Sequence, residues 1–193
     1  MTLTKKSFYL LLIPTVFCAA GLGQSAMAGT TAQTIISAHI VGGGCQISVD
    51  DKVQIRDGNL IPADEIMPDS DISQTFELTI KDCKGYGLTP SIKIDGNIDN
   101  SSGKSLFVNL DSKSKGYGIL LSTDGNEHFN QSSDLGKDKK ITAKKDESTD
   151  WEQVYIDDFN GKIPLKATLS CGTCTDNQGG ELTASLTFTF VYQ

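Results

Sequence analysis

The C-terminal end of the chain carries the pattern that most restricts its fold. Between residues 182 and 192, apolar side chains alternate with small polar ones; the apolar positions are Leu182, Ala184, Leu186, Phe188, Phe190 and Tyr192. A period of two with aromatic and threonine residues predicts a half-buried β-strand. Only Gln193 follows in this sequence. We therefore expect an earlier strand or another protein to cover the edge of this strand, because an uncovered apolar edge invites strand addition.

The N-terminal residues predict a secretory signal peptide. Lys5 and Lys6 precede an apolar stretch at residues 8–20, and Ala-Met-Ala at residues 26–28 has the form of a cleavage site. The alternative is a membrane anchor, but the apolar stretch is short for a spanning helix. We expect residues 1–28 to be removed on export to the periplasm, with no insertion of the mature chain into a membrane.

The charge of the mature chain restricts its partners. Removal of residues 1–28 leaves 165 residues with 15 basic and 24 acidic side chains, a net charge of −9. This length is enough for one domain with its own core. Nucleic acids and anionic membranes both require a basic face, so we expect neither as a partner.

Four cysteines remain after the signal peptide: Cys45, Cys83, Cys171 and Cys174. An even number in an exported chain predicts two disulfides. Three pairings are possible, and the simplest joins Cys45 to Cys83 and Cys171 to Cys174. A redox-active site at Cys171 and Cys174 is the alternative, but such a motif begins a helix and no helical pattern follows it here. A zinc site would need a second close pair of Cys or His residues. We predict neither a metal nor a cofactor.

Short alternating segments separated by turns fill the rest of the mature chain. Their apolar positions are Cys45, Ile47 and Val49; Phe76, Leu78 and Ile80; Ile92 and Ile94; Leu106, Val108 and Leu110; Tyr117, Ile119 and Leu121; and Ile163, Leu165, Ala167 and Leu169. Strands of this length with Gly, Asn and Asp turns predict an all-β antiparallel sandwich. The lysine-rich residues 134–150 predict an exposed loop or an edge hairpin.

No combination of residues predicts catalysis. The chain has two histidines, and no strand-turn-helix arrangement presents a nucleophile. The carboxylate pairs at residues 50–51 and 157–158 are adjacent in sequence, so on a strand their side chains face opposite sides. Trp151, the one tryptophan, is predicted to anchor a loop to the core rather than to bind a ligand. We therefore predict that the protein is not an enzyme.

Several features together resemble the subunits of chaperone–usher pili, the fimbriae of Gram-negative bacteria. Residues 76–83 form an alternating strand that ends in Asp82 and Cys83, and residues 45–49 form its partner strand beginning at Cys45. Residues 116–125 resemble the family's central hairpin, with glycine, alternating apolar residues and then Asp-Gly. The terminal strand has Tyr192 as its penultimate residue. The resemblance covers nearly all of the mature chain.

The resemblance implies an incomplete immunoglobulin-like antiparallel sandwich that lacks its final strand. Such pilin domains are completed by donor-strand addition, first from a periplasmic chaperone and then from the N-terminal extension of a neighbouring subunit. An outer-membrane usher and cell adhesion at the bacterial surface are implied with it. The implied chaperone-binding and subunit-binding edge is Leu182, Leu186, Phe188, Phe190 and Tyr192. The implied donor residues are Ile36, Ala38 and Ile40, in an extension at residues 29–44 ahead of a domain at residues 45–193.

Two other functions fit the same sequence. A free-standing secreted adhesin or binding module would have the same signal peptide, cysteines and strands, but a complete sandwich. Pairing of residues 30–41 within their own domain would identify that protein. A periplasmic thiol oxidoreductase would use Cys171 and Cys174, and its activity would be lost with Cys171→Ser.

Overall fold

The computed structural model describes residues 43–145 and 150–192. Within these two ranges, nine β-strands form two antiparallel sheets. The larger sheet has the order β1–β2–β8–β6–β5–β4. Its strands are β1 (Gly43–Ser48), β2 (Ser73–Gly85), β4 (Ile98–Asp99), β5 (Leu106–Phe107), β6 (Gly118–Thr123) and β8 (Gly161–Ser170). The smaller sheet has the order β7–β3–β9, formed by β7 (Lys140–Thr142), β3 (Pro90–Gly96) and β9 (Leu186–Tyr192).

Helical structure in the described residues is limited to short turns. One α-helical turn, α1, covers Leu135–Asp138. Asp134 begins it by accepting a hydrogen bond from the backbone N–H of Lys137 at 2.9 Å, which satisfies one of the amides exposed at a helix start. Single 3-10 turns cover Ala63–Glu65, Trp151–Gln153 and Ile156–Phe159. Ile55–Gly58 forms a turn in which Arg56 and Asp57 have positive φ.

The two sheets share one hydrophobic core. In β2 and β8, side chains that point inward alternate with exposed ones, so that Leu78 lies opposite Ile163 and Phe76 opposite Leu165. The small sheet supplies Ile92 and other inward side chains to the same core. The fully buried large side chains are Phe107, Phe129, Leu78, Ile80, Ile92, Ile94, Leu121, Leu135, Ile141, Ile156, Ile163 and Leu165. Burial of this alternating set is the main driving force for the sandwich.

The prediction of an all-β antiparallel fold is confirmed, one local prediction is wrong and a second is only partly right. The strand at residues 106–110 ends at Phe107, and Leu110 is 92% exposed in the following loop. Of the predicted exposed loop or edge hairpin at residues 134–150, the described residues 134–145 include an edge strand that pairs with residues 128–130, but they are not a solvated loop throughout. They contain α1 and β7, whose Leu135 and Ile141 are 0% and 1% exposed. The many lysines of this segment occupy its outward positions. The composition of the segment as a whole is therefore hydrophilic, and it does not indicate that two of its side chains are buried.

Candidate functional site: the edge of strand β9

Strand β9 lies at the edge of the smaller sheet. It pairs with β3 in continuous antiparallel register from Leu186, opposite Gly96, to Tyr192, opposite Pro90. On its other side, the described residues provide no strand that is hydrogen-bonded to it. An antiparallel strand with one neighbour directs half of its backbone N–H and C=O groups away from that neighbour. Those groups form a row to which a further strand can add.

The inward face of β9 is incompletely covered. Leu186, Phe188 and Phe190 pack against the core but remain half-buried, while Thr187 and Thr189 between them are exposed. Tyr192 continues the inward row and is 36% exposed. The apolar surface left on these side chains is available to a strand that would lie beside β9.

The edge of the larger sheet lies next to β9. Its outer strand, β1, pairs with β2 through Ile47 opposite Ile80, with an irregularity in register between Gly44 and Gln46. β1 also lies close to β9, although the two belong to different sheets. The sandwich therefore presents two neighbouring edges, one from each sheet. β1 begins at Gly43, so the last two residues of the predicted extension belong to the first strand.

The segment before β9 is not part of the strand. Residues 178–185, which we call the lead-in segment, pair with residues 109–115 instead of with β3. The backbone N–H of Asn109 donates to the carbonyl of Thr183 at 2.8 Å, and the N–H of Lys113 donates to that of Glu181 at 2.8 Å. β3 ends at Gly96, opposite Leu186, so it offers no partner to earlier residues. Leu182 therefore lies in the lead-in segment, half-buried, whereas the other predicted edge residues lie on β9.

One residue of the site, Asn109, was not predicted from the sequence. Its side chain holds the last residue before β9 by two hydrogen bonds. Oδ1 accepts from the backbone N–H of Ser185 at 2.8 Å, and Nδ2 donates to the Ser185 hydroxyl at 3.0 Å. An asparagine in a loop is usually interpreted as a turn residue, and no local signal indicates that its partner is distant in sequence.

The turn that precedes the lead-in segment contains the second disulfide. The structure joins Cys171 to Cys174 and Cys45 to Cys83, the simplest of the possible pairings. Cys171 directly follows β8 and is 2% exposed, whereas Cys174 is exposed. The backbone N–H of Cys174 donates to the carbonyl of Cys171 at 2.8 Å, which closes a tight turn.

The two disulfides differ in the size of the loop that they close. Cys45–Cys83 spans 38 positions and Cys171–Cys174 spans 3. On the chain-entropy model, the longer loop stabilises the fold by about 4 kcal/mol and the shorter loop by about 2 kcal/mol. Cys45–Cys83 joins the paired strands β1 and β2, so it fixes the edge that neighbours β9.

The remaining predicted residues lie elsewhere. The donor residues Ile36, Ala38 and Ile40 and the signal peptide lie outside the described residues. Trp151 is half-buried and packs against Phe159, with the ring centroids 6.1 Å apart, which is a structural position. Within residues 43–145 and 150–192, no three Cys, His, Asp or Glu side chains are grouped as metal ligands. In the same part of the chain, no helix is long and apolar enough to cross a membrane.

Two side chains away from β9 have shifted pKa values. Hydrogen bonds from the backbone N–H and the hydroxyl of Ser101 lower the pKa of Asp99, and slight burial opposes them. The hydrogen bond to Glu77 and the negative charge of that carboxylate raise the pKa of Lys162. Both pairs lie on the larger sheet or beside it. β9 itself contains no charged residue. Its apolar row and, among the described residues, its open edge distinguish the site.

Comparisons with known proteins give a likeness in structure but none in sequence. No protein-family model and no curated protein sequence matches the chain. Among solved structures, the chain is similar to the P pilus rod subunit PapA, whose crystal structure it matches with a TM-score of 0.45 and 16% sequence identity. The match covers 83% of this chain and 100% of that one.

Proposed function

We propose that this chain is a subunit of a chaperone–usher fimbria and that β9 accepts a strand from another protein. Residues 1–28 act as the signal peptide, residues 29–44 form the donor extension and residues 45–193 form the pilin-like domain. The added strand comes first from a periplasmic chaperone and, after passage through an outer-membrane usher, from a neighbouring subunit. The assembled fibre lies at the cell surface and supports adhesion.

The observation that carries the proposal is the state of the β9 edge. Among the residues that the structure describes, β9 is hydrogen-bonded on one side, and its inward row is only half-buried. β3, which has a strand on each side, buries its inward Ile92 and Ile94, which are 0% and 2% exposed. An apolar edge of this kind is an aggregation risk unless it has a dedicated partner. Strand addition supplies that partner through backbone hydrogen bonds and alternate side chains.

The proposed donor matches this edge in chemistry. Ile36, Ala38 and Ile40 alternate with Ile35, Ser37 and His39, so one register of an extended strand directs three apolar side chains to one face. When the donor of one copy adds to the acceptor of the next, the contact is head-to-tail. Such a contact does not close on itself and therefore produces a filament.

A synthetic peptide of residues 30–41 tests the proposal on the mature chain, residues 29–193. We expect the labelled peptide to bind, and amide exchange to slow at alternate positions of β9 that face away from β3. Phe190→Asp should abolish binding, because it places a charge in the inward row. Thr189→Asp is the matched control. It introduces the same charge at the neighbouring position, where the side chain of Thr189 is exposed. Equal loss with both variants, or normal binding to Phe190→Asp, would contradict the proposal.

A second experiment tests the partner in the periplasm. The chain is tagged after Leu60, whose side chain is 98% exposed, so that both termini stay unmodified. We expect a stoichiometric chaperone to be recovered with the wild-type chain and with Thr189→Asp, but not with Phe190→Asp. A stable monomer recovered without any partner would identify the alternative protein, a free-standing binding module with a complete sandwich.

A further inference from the structure

We propose that the Cys171–Cys174 disulfide is a thiol-exchange site, at which reduction by a dithiol loosens the lead-in segment. The exchange itself depends only on the turn at residues 171–174. Its consequence for partner binding at β9 rests on the proposed function.

The two sulfur atoms of this bond differ in access. Cys171, directly after β8, is 2% exposed, and Cys174 is exposed at the other end of the turn. An incoming thiolate can therefore reach Sγ of Cys174. In the other disulfide, Cys83 is 1% exposed and Cys45 is half-buried between paired strands. Access favours exchange at Cys174, because a thiolate must approach the sulfur that it attacks.

The backbone of the turn also favours opening. Cys174 has φ 54° and Asp176 has φ 56°, so two residues with side chains adopt the left-handed conformation within three positions. Such conformations are unfavourable for residues other than glycine and persist where the surroundings impose them. The disulfide is one of the constraints that impose the left-handed conformation on Cys174. Its opening lets Cys174 return to an ordinary conformation, which offsets part of the free energy lost with the bond.

The exchange proceeds in two balanced steps. A thiolate of the dithiol attacks Sγ of Cys174, forms a mixed disulfide and displaces the Cys171 thiolate, which takes a proton from solvent. The second thiolate of the dithiol then attacks the other sulfur of the same dithiol, which is bonded to Cys174 in the mixed disulfide. This releases Cys174 as a thiolate, which is protonated in turn. The protein gains two electrons and two protons, and the dithiol becomes a disulfide.

A continuous set of contacts joins the turn to β9. Asn177 packs against Gly116, and the next residue, Gln178, exchanges two backbone hydrogen bonds with Lys115, both of 2.9 Å. The pairing continues through Glu181 and Thr183 to Ser185, the residue before β9. The disulfide closes the turn at residues 171–174, which precedes the end of this segment that is distant from β9. Reduction should therefore increase the opening of the lead-in segment more than that of the central strands.

The experiment exposes the native, mature chain to increasing concentrations of dithiothreitol and traps free thiols with a maleimide. Mass spectrometry then identifies the labelled cysteines. We expect Cys171 and Cys174 to be labelled about tenfold faster than Cys45 and Cys83, which serve as the internal control. Equal rates, or faster labelling of Cys45 and Cys83, would overturn the exchange site.

Hydrogen exchange on the same samples tests the coupling. After selective reduction, we expect amides of residues 178–185 to exchange about tenfold faster, while those of β2 and β8 keep their rates. The Cys171→Ser/Cys174→Ser variant should reproduce the effect without reductant. Unchanged exchange in the lead-in segment would overturn the coupling. Binding of the residue 30–41 peptide is measured separately on the oxidised chain, so failure of the proposed function is distinguished from failure of this inference.

Discussion

Phe190 on β9 lies directly opposite Ile92 on β3, yet Ile92 is 0% exposed while Phe190 is only half-buried. Both side chains belong to the same inward row of one sheet. They differ in their neighbours, because β3 is flanked by β7 and β9, whereas β9 pairs only with β3 among the described residues. The half-burial of Phe190 is thus consistent with the open side of β9 among the described residues. A strand beside β9 would bring Phe190 to the burial of Ile92.

Truncation of these two side chains should have unequal effects. We expect Ile92→Ala to lower the free energy of unfolding by about 3 kcal/mol, since it opens a cavity in the core. Phe190→Ala should cost less than about 2 kcal/mol in the isolated chain, because part of its ring already contacts solvent. Urea denaturation measures both values. The cost of Phe190→Ala should rise when the residue 30–41 peptide is present, and an unchanged cost would argue against burial by an added strand.

Replacement of Asn109 should loosen the start of β9. Asn109→Ala removes two hydrogen bonds to Ser185 and should lower the free energy of unfolding by about 1–2 kcal/mol. Amides of residues 183–186 should exchange faster. Asn59→Ala is the control, because the Asn59 side chain donates only to the nearby carbonyl of Arg56. Similar exchange in the two variants would show that Asn109 does not hold this segment.

Removal of the disulfides should reveal the difference in loop length. Cys45→Ser/Cys83→Ser should lower the free energy of unfolding by about 4 kcal/mol, and Cys171→Ser/Cys174→Ser by about 2 kcal/mol. The reason is that the longer loop restricts the unfolded chain more strongly. Denaturant titration of both variants gives the comparison. A larger loss from the shorter loop would mean that native contacts of the turn, rather than chain entropy, dominate its stabilisation.

Asp99 should contribute a pH-dependent part of the stability. Its pKa is lowered from 3.8 in the folded state by hydrogen bonds from Ser101, so folding favours the carboxylate. This contribution is present above the unfolded pKa and is lost as the pH falls through the folded pKa. The difference in stability between the wild type and Asp99→Asn should therefore be constant well above pH 3.8 and shrink as the pH falls below that value. Ser101→Ala should retain part of the effect, because its backbone N–H remains. A difference independent of pH would contradict this assignment.

The sequence alone determined the strands whose period of two is strict. β2, β3 and β8 lie where the alternation predicts them, and their apolar residues Leu78, Ile92 and Ile163 are buried as expected. Cysteine number and spacing were also sufficient to propose both disulfides. These features depend on local periodicity or on a small set of possible pairings, and both are readable from one chain.

Only the tertiary structure decided where the strand containing Phe190 begins and what lies beside it. The alternation starts at Leu182, but the strand starts at Leu186, since β3 ends opposite that residue and residues 109–115 pair with the preceding segment. In the same way, Leu135 and Ile141 are buried within a lysine-rich segment because α1 and β7 pack on the core. Period two establishes which side chains share a face. Pairing partners distant in sequence decide how far each strand extends and which of its edges is covered.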